Sequence, residues 1–328
     1  MLVSFFRSSK VKVLFFIPIL ALLFRIPAFF TPFISIQNNY SIEFINQFFN
    51  WVNQFTGLSV VLSAFVISAQ AILLNKLVEK HALLKQINYL TAFYLILLNS
   101  AFAPQWLLSE SMVANLFFLW SIDKMLSLSR SESNLSPSFD SGLLIGIASV
   151  FYPSYLLFIG LLILAQFYFN SFGFREFILA VLGAITPYFF WFGIAYTINA
   201  SLHTFENHFQ YTAIFSVPWE SYTSFLPLII SILVAVILSL GSYLKGIRVN
   251  TVKTKNTLVL YLWIIPLSIA GFYWQSSTSF DVFYSFSLPL AMILSNYALY
   301  AKKRWIPEVL VLCLVLAAAY SNFQLLSH

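Results

Sequence analysis

The sequence has few charged side chains and a single cysteine, and both shortages restrict what the protein can be. Only 9% of its 328 residues are charged, whereas 60% are apolar. A soluble chain of this size would be unable to bury so much apolar surface, so the composition predicts a multi-span helical membrane protein. The one cysteine, Cys313, lies inside an apolar run, which excludes a disulfide framework and a cysteine-based metal site.

The apolar runs are continuous rather than alternating, which favours membrane helices over a β-barrel. We predict an all-α polytopic protein with about eleven transmembrane helices and no internal repeat. The tract from Gly142 to Phe169 contains Tyr152–Pro153, and proline disfavours helix at the preceding residue, so we divide this tract into two short antiparallel spans. The spans predicted after the first are 58–75, 86–103, 106–128, two within 142–169, 177–198, 222–244, 258–274, 282–300 and 306–326.

The stretch from Val13 to Phe55 organises the rest of the chain. It begins with an apolar run that is long enough to cross a bilayer, and it ends in S-I-E-F-I-N-Q-F-F-N-W-V-N-Q-F at residues 41–55. On a helical wheel, one half of residues 41–55 is aromatic and aliphatic, and the other half carries a carboxylate and amides. We therefore predict one amphipathic helix that lies flat in the membrane surface after the first span.

Basic residues fall almost entirely on one side of this topology. An N-terminus in the cytoplasm leaves only Arg25, of seventeen basic residues, outside the cytoplasmic side. We therefore predict a multi-pass inner-membrane protein with a periplasmic C-terminus. The first span contains Arg25 and lacks a small-x-small cleavage site, so we expect it to remain uncleaved. The net charge of +6 comes from short loops that set orientation, and we expect no nucleic-acid partner.

Arg25 and Glu110 are candidate functional residues near the predicted outer face. We expect each to lie about five residues inside its span, and a charge below the headgroups requires a partner. Arg25 either extends to the outer headgroups, holds a phosphate or pairs with Glu110. Glu110 is also favoured by the helix dipole at the start of its span. Asp281 follows Thr278 by three residues, which is typical of a capping box.

Glu43 and His208 are further candidates on the outer side. Glu43 lies on the polar face of the surface helix, where it is either solvated or activates an acceptor as a base. The run H-T-F-E-N-H offers three potential metal ligands, but only His203 and Glu206 share a helix face, so we expect no metal site and no cofactor. His208 remains a candidate for substrate binding.

Three runs of the sequence carry a resemblance to a known family: L-L-N-K-L-V-E-K-H-A-L-L, F-D-S-G-L-L-I-G-I-A-S-V-F-Y-P and F-R-E-F-I-L-A-V-L-G-A-I-T-P-Y-F. They resemble the DUF6427 family of Bacteroidota inner-membrane proteins over about residues 10–200. The layout is also similar to the N-terminal core of GT-C membrane glycosyltransferases. The resemblance implies one integral-membrane domain over 1–328, with a GT-C-like core at 1–200 and an outer loop with C-terminal spans at 201–328.

The chain departs from the GT-C pattern in the loop after the first span. GT-C enzymes resemble one another in having an Asp or Glu there, which binds metal or serves as base. Here Gln37, Asn38 and Asn39 occupy the equivalent loop, and amides cannot take a proton from an acceptor hydroxyl. Asn38 and Asn39 are therefore assigned to substrate binding, and Glu43 and Glu110 are the candidate catalytic carboxylates.

Three functions remain open on the sequence alone. The departure favours a degenerate, non-catalytic GT-C-like protein that acts as a scaffold or lipid-handling component in envelope assembly. The alternative is a polyprenyl-phosphate-sugar-dependent glycosyltransferase on the periplasmic face, with Arg25 on the lipid phosphate. A transporter ranks third, because the spans carry little charge and no inverted repeat is visible. We expect a membrane lipid as partner, and the glycosyltransferase alternative implies a polyprenyl-phosphate-linked sugar.

Overall fold

The computed structural model describes residues 2–8, 10, 12–29, 43–128, 134–169, 172–197, 208–209, 223–274 and 280–327, which contain helices and no strand. The α-helices are α1 (Leu2–Phe6), α2 (Lys12–Leu23), α3 (Glu43–Gln54), α4 (Thr56–Lys80), α5 (Leu90–Ser100), α6 (Glu110–Ser127), α7 (Leu135–Phe151), α8 (Ile159–Tyr168), α9 (Phe174–Thr197), α10 (Leu226–Val249), α11 (Val252–Trp274), α12 (Phe283–Tyr300) and α13 (Trp305–Ser327). Short 3₁₀ turns occupy Ile26–Phe29, Ala103–Gln105, Pro153–Phe158 and Phe280–Val282.

Several of these helices have the length and composition of membrane spans. Within the described residues, α4, α9, α10, α11 and α13 are long and apolar enough to cross a bilayer. Helices α2, α5 and α7 and the segment Pro153–Tyr168 are also apolar but shorter. A helix of 11 residues such as α5 extends about 17 Å, roughly half of a hydrocarbon core. The protein is therefore a helical membrane protein, and the count of about eleven spans stays a prediction.

Many large apolar side chains lie on the surface and several polar groups are buried, whereas a soluble protein shows the reverse tendency. Large apolar side chains on the peripheral helices are exposed, such as Phe189 at 72% and Phe323 at 73%. The central helices α5 and α12 instead bury polar groups: Thr91 Oγ1 donates to Ser295 Oγ at 3.2 Å between them. Lipid is the solvent that makes this arrangement stable, because it accepts apolar surface and cannot hydrogen-bond polar groups.

The predicted division at Tyr152 is confirmed. Helix α7 ends at Phe151, and Tyr152 has an extended backbone with φ −144° and ψ 106° before the 3₁₀ turn that leads into α8. Gln166 Nε2, near the end of α8, donates to Ser138 Oγ, near the start of α7, at 3.1 Å. The two helices are therefore antiparallel. Pro153 disfavours helix at Tyr152, which accounts for the break between them.

Contacts between α4 and α6 define the two ends of the bundle. At one end, Leu108 N donates to Ser59 Oγ at 2.9 Å. At the other end, Lys80 Nζ pairs with Asp123 Oδ1 at 2.8 Å. The first is called the Arg25 end, because Arg25 hydrogen-bonds to Gln105 in the same stretch of chain. This stretch, residues 101–109 between α5 and α6, is called the corner before α6. The second is called the basic end.

More basic side chains meet at the basic end. Lys124 Nζ pairs with Asp140 Oδ2 at 2.8 Å, which joins α6 to α7. Arg7 Nη2 donates to Leu299 O at 2.6 Å and so satisfies a carbonyl in the last turn of α12. A cation at this position also complements the negative end of the helix dipole.

Helix α3 is amphipathic, as predicted, and it follows the short apolar helix α2; it begins at Glu43, and residues 41–42 lie outside the described residues. Its apolar half divides into two faces. Phe44, Phe48 and Trp51 are exposed, whereas Phe49 and Val52 are buried against the bundle. The exposed rings are spaced for insertion into a membrane surface, while the buried pair anchors the helix to the protein.

The polar side of α3 is held to the corner before α6. Asn53 Nδ2 donates to Leu108 O at 3.3 Å, and Asn53 Oδ1 accepts from Ser59 Oγ at 2.6 Å. The amide of Asn53, which the helical wheel places on the polar half, thus joins α3 to α4 and to the corner before α6.

Glycines allow α7 and α9 to pack with their backbones in contact. A Cβ built on Gly142 would lie 2.1 Å from Ala180 O, and one built on Gly146 would lie 2.4 Å from Ala184 O. On the facing helix, a Cβ on Gly183 would lie 2.4 Å from Phe139 O. This is the small-residue packing that holds membrane helices together where apolar burial supplies no driving force.

We expect Gly146→Ala to destabilise the protein by about 1–3 kcal/mol, because the added methyl meets backbone that cannot move aside. The matched control is Gly193→Ala on α9, where a Cβ meets nothing within 4 Å. The control should be neutral or slightly stabilising, since alanine favours helix over glycine by about 1 kcal/mol. Thermal unfolding of the detergent-solubilised protein measures both, and equal melting temperatures for the two variants would contradict the packing.

Candidate functional site

Arg25 is fully buried at the Arg25 end, in the turn between α2 and Ile26–Phe29. Its backbone N–H bonds to Leu22 O at 2.9 Å, which is the tight turn of a helix that is ending. The helix ends here because Pro27 disfavours helix at Ile26. Arg25 therefore follows α2 by two residues, rather than lying five residues inside the first span as the sequence predicted.

The Arg25 guanidinium has one hydrogen bond in the described part of the chain. Its Nη2 donates to Gln105 O at 3.3 Å. Its Nε and Nη1 are buried without a partner there, and the ion pairs of the described residues do not include one between Arg25 and Glu110. A buried guanidinium with open donors is costly unless an anion compensates it.

Tyr284 of α12 converges on the same carbonyl as Arg25. Tyr284 Oη donates to Gln105 O at 3.2 Å, so one backbone acceptor serves the hydroxyl and the guanidinium. Tyr284 is fully buried, and it fixes the position of the carbonyl against α12. The corner before α6 thereby orients the Arg25 side chain.

Two carboxylates are buried at the same end. Glu110, the first residue of α6, is 4% exposed, and Asp281 in the 3₁₀ turn before α12 is 5% exposed. Ser111 Oγ, adjacent to Glu110, donates to Asp281 Oδ1 at 2.6 Å. Asp281 is one helical turn before Tyr284, so Asp281 and the Arg25 guanidinium belong to one polar region, and Glu110 is buried at the same end of the bundle.

Hydrogen bonds between amide and hydroxyl side chains support the start of α6 next to this polar region. Gln70 Nε2 donates to Met112 O at 2.6 Å, and Asn115 Nδ2 donates to Gln70 Oε1 at 3.0 Å. Tyr155 Oη donates to Asn115 Oδ1 at 3.3 Å. These bonds connect α4, α6 and the turn before α8, and they hold the first turns of α6 in place.

An apolar groove of about 350 Å³ lies beside Arg25, between α2, α5 and α13. Leu23 and Phe24, which precede Arg25, line it, as does Trp106, which follows Gln105. Ser100 also lines it, and its buried Oγ has no partner among the described residues. The groove is thus apolar and is bordered by residues that flank Arg25 in the chain, although Arg25 itself does not line it.

The other predicted site residues are placed as follows. Glu43 is the first residue of α3, and nothing of its side chain is described. Asn38 and Asn39 lie outside the described residues, so their assignment to substrate binding stays a prediction. His208 is 1% exposed, and its Nε2 lies 3.0 Å from Ser149 O of α7.

His208 lies among aromatic rings of α9. Its ring centroid is 5.4 Å from that of Trp191 and 6.1 Å from that of Tyr188. Tyr188 Oη donates to Ser149 Oγ at 2.8 Å, so His208 and Tyr188 both bond to Ser149. The described bonds of His208 thus belong to the α7–α9 pair, whereas those of Arg25 belong to the corner before α6.

Three residues of the polar region lie outside the predicted site: Asp281, Gln105 and Tyr284. The sequence pattern around Asp281 indicates a helix cap instead. Tyr284 follows Asp281 by three residues and therefore shares its helix face, which was a usable signal. Gln105 acts through its backbone carbonyl, and side-chain patterns carry no information about that.

We expect Arg25→Met to leave the melting temperature unchanged or to raise it, because it removes a buried charge that has one hydrogen bond among the described residues. The reference variant is Gln70→Leu, which should cost about 1–3 kcal/mol because it removes the side-chain donor to Met112 O and leaves the buried Asn115 amide without its Gln70 acceptor. Thermal unfolding in detergent measures both. A loss for Arg25→Met as large as that for Gln70→Leu would mean that Arg25 is a structural residue.

Comparison with known proteins gives a family but no activity. The model of a family of unknown function, DUF6427, matches residues 20–326, which extends the resemblance from the first 200 residues to nearly the whole chain. No curated protein and no solved structure matches the chain. On the extent of the family match, the chain belongs to the DUF6427 family.

Proposed function

We propose that this protein binds a lipid phosphate at the outer face of the inner membrane and acts as a non-catalytic, GT-C-like lipid-handling component of envelope assembly. The observation that carries the proposal is the Arg25 guanidinium, which is buried with Nε and Nη1 unpartnered in the described part of the chain. A phosphate carries several acceptor oxygens and the negative charge that a guanidinium with open donors lacks, and it can accept from Nε or from Nη1.

The surroundings of Arg25 favour a lipid over a soluble phosphate. The apolar groove beside Arg25 suits one chain of a lipid, with its headgroup directed to the guanidinium. The exposed rings Phe44, Phe48 and Trp51 of α3 suit insertion into the membrane surface at the same end. A polyprenyl-phosphate-linked sugar has both the long apolar chain and the phosphate that this arrangement suits.

A glycosyltransferase remains the second candidate, because the carboxylates of Glu110 and Asp281 are buried at the same end of the bundle as Arg25. A carboxylate near a bound lipid phosphate would serve as the base for an acceptor hydroxyl. The amides of Asn38 and Asn39 in the preceding loop favour the non-catalytic function over this one. No observation favours a transporter.

We expect the purified protein to bind a short-chain polyprenyl phosphate more tightly than the matching uncharged polyprenol. Arg25→Met should abolish this preference, a loss of about 10- to 100-fold, since a hydrogen bond to a charged group contributes about 1.5–3 kcal/mol. The control is Arg248→Met, which removes an exposed cation from α10 near the basic end. Native mass spectrometry measures both, and an undiminished preference in Arg25→Met would refute the proposal.

Turnover with polyprenyl-phosphate sugars distinguishes the two candidates. If the protein is an enzyme, Glu110→Gln or Glu43→Gln should lower the rate about 100-fold or more. A lipid-handling component should show no turnover, and the same variants should retain lipid binding.

The orientation of the chain is tested separately in a Cys313→Ala background. We expect a membrane-impermeant maleimide to label Gln54→Cys on α3 in intact spheroplasts and to label Thr251→Cys only after lysis. Both residues are surface positions, Gln54 near the Arg25 end and Thr251 between α10 and α11. Labelling of both before lysis would contradict a cytoplasmic N-terminus and the predicted number of crossings.

A further inference from the structure

A second cavity opens at the basic end, away from Arg25. It has a volume of about 550 Å³ and lies between α10, α12 and the loop before α5. Three lysines from three different segments line it: Lys85, Lys245 and Lys302. Its lining contains no Asp or Glu, so the cavity carries a concentrated positive charge.

The three lysines are available for an anion. The ion pairs described near this end use Lys80 and Lys124, and in the described part of the chain none joins a cavity lysine to a carboxylate. All three lysine side chains are exposed at the surface. Three like charges that share one cavity repel one another, and a bound anion removes this repulsion.

A buried amide lies at the base of the cavity. Asn296 is 3% exposed, and its Oδ1 accepts from Ser242 Oγ at 3.2 Å, which directs Nδ2 away from that bond. Its Nδ2 donates to no acceptor among the described residues. A Cβ on Gly246 would lie 3.6 Å from this nitrogen, so glycine leaves the space in front of a free donor empty.

The cavity continues from polar to apolar surface along α10. Val249 and Leu238 line it eleven residues apart, which is about 16 Å along the helix. Both side chains are exposed. A soluble anion would use only the lysine end, whereas a phospholipid would place its headgroup among the lysines and an acyl chain along α10.

We propose that this cavity binds an anionic phospholipid of the leaflet at the basic end. The lysines and Asn296 Nδ2 bind the phosphodiester, and α10 packs against an acyl chain. Basic pockets between membrane helices on the cytoplasmic side are typical sites for anionic headgroups. This site is independent of Arg25 and of the function proposed for it, because it lies at the opposite end of the bundle.

The test compares two triple variants of the full-length protein that lose the same charge. Lys85→Gln, Lys245→Gln and Lys302→Gln alter the cavity, whereas Arg248→Gln, Lys303→Gln and Arg304→Gln remove three neighbouring exposed cations that do not line it. Native mass spectrometry with phosphatidylglycerol, and with phosphatidylcholine as reference, measures lipid binding. We expect about a tenfold or greater loss of phosphatidylglycerol affinity in the cavity variant and less than about twofold in the other.

Equal losses in the two variants would show attraction to the basic surface alone and overturn the proposal, as would no loss in either. Gly246→Leu supplies a second variant that fills the cavity without changing charge, and it should reproduce the loss if the cavity triple variant does not fold. Inorganic phosphate at millimolar concentration distinguishes the source of the anion. We expect it to leave the lipid bound, and displacement of the lipid by phosphate would assign the cavity to a soluble anion.

Discussion

The buried positive charge of Arg25 is the constraint on which the Arg25 end of the molecule depends. Its one described hydrogen bond goes to Gln105 O, a backbone carbonyl that also accepts from Tyr284. A carbonyl carries only a partial charge, so it orients the guanidinium without neutralising it. Neighbouring elements are arranged to hold this carbonyl still: Ser59 fixes the corner at Leu108, and Gln70 fixes the first turn of α6.

This arrangement explains why α2 and α5 are short and why the polar groups beside them are buried. Helix α2 ends at Leu23, two residues before Arg25, and Ala103–Gln105 turns the chain directly after α5, so both chain segments meet at the same corner. The polar side chains behind the corner satisfy one another, as the apolar solvent around the bundle requires. The groove beside the corner is left apolar and open, which makes the Arg25 end suitable for an amphipathic ligand.

Much of the fold could be predicted from the sequence. Long apolar runs indicate membrane helices, and proline and charged residues indicate where those helices end. The break at Tyr152 and the helix that begins at Glu43 followed from such local signals. The position of Arg25 relative to α2 was predicted wrongly, because an apolar run continues through Pro27 although the helix does not. On the apolar half of α3, Phe44 is exposed whereas Phe49 is buried. This difference depends on tertiary packing, which a helical wheel does not represent.

The candidate site was predicted only in part for a similar reason. Arg25 and Glu110 stood out as charges in apolar sequence, but Asp281 was hidden by a capping pattern that explains it equally well. Gln105 contributes a backbone carbonyl, and the cavity lined by Lys85, Lys245 and Lys302 combines residues that lie more than 200 positions apart in the chain. Such sites arise from helix packing, so a pattern within one segment of the sequence cannot predict them.

The most direct test of this account is an electron cryomicroscopy structure of the protein in nanodiscs of bacterial membrane lipids. We expect density for a phosphate within hydrogen-bonding distance, about 2.7–3.2 Å, of Arg25 Nε or Nη1, continuous with an elongated chain in the groove beside Leu23. A direct ion pair between Arg25 and Glu110, with no phosphate at the guanidinium, would contradict it.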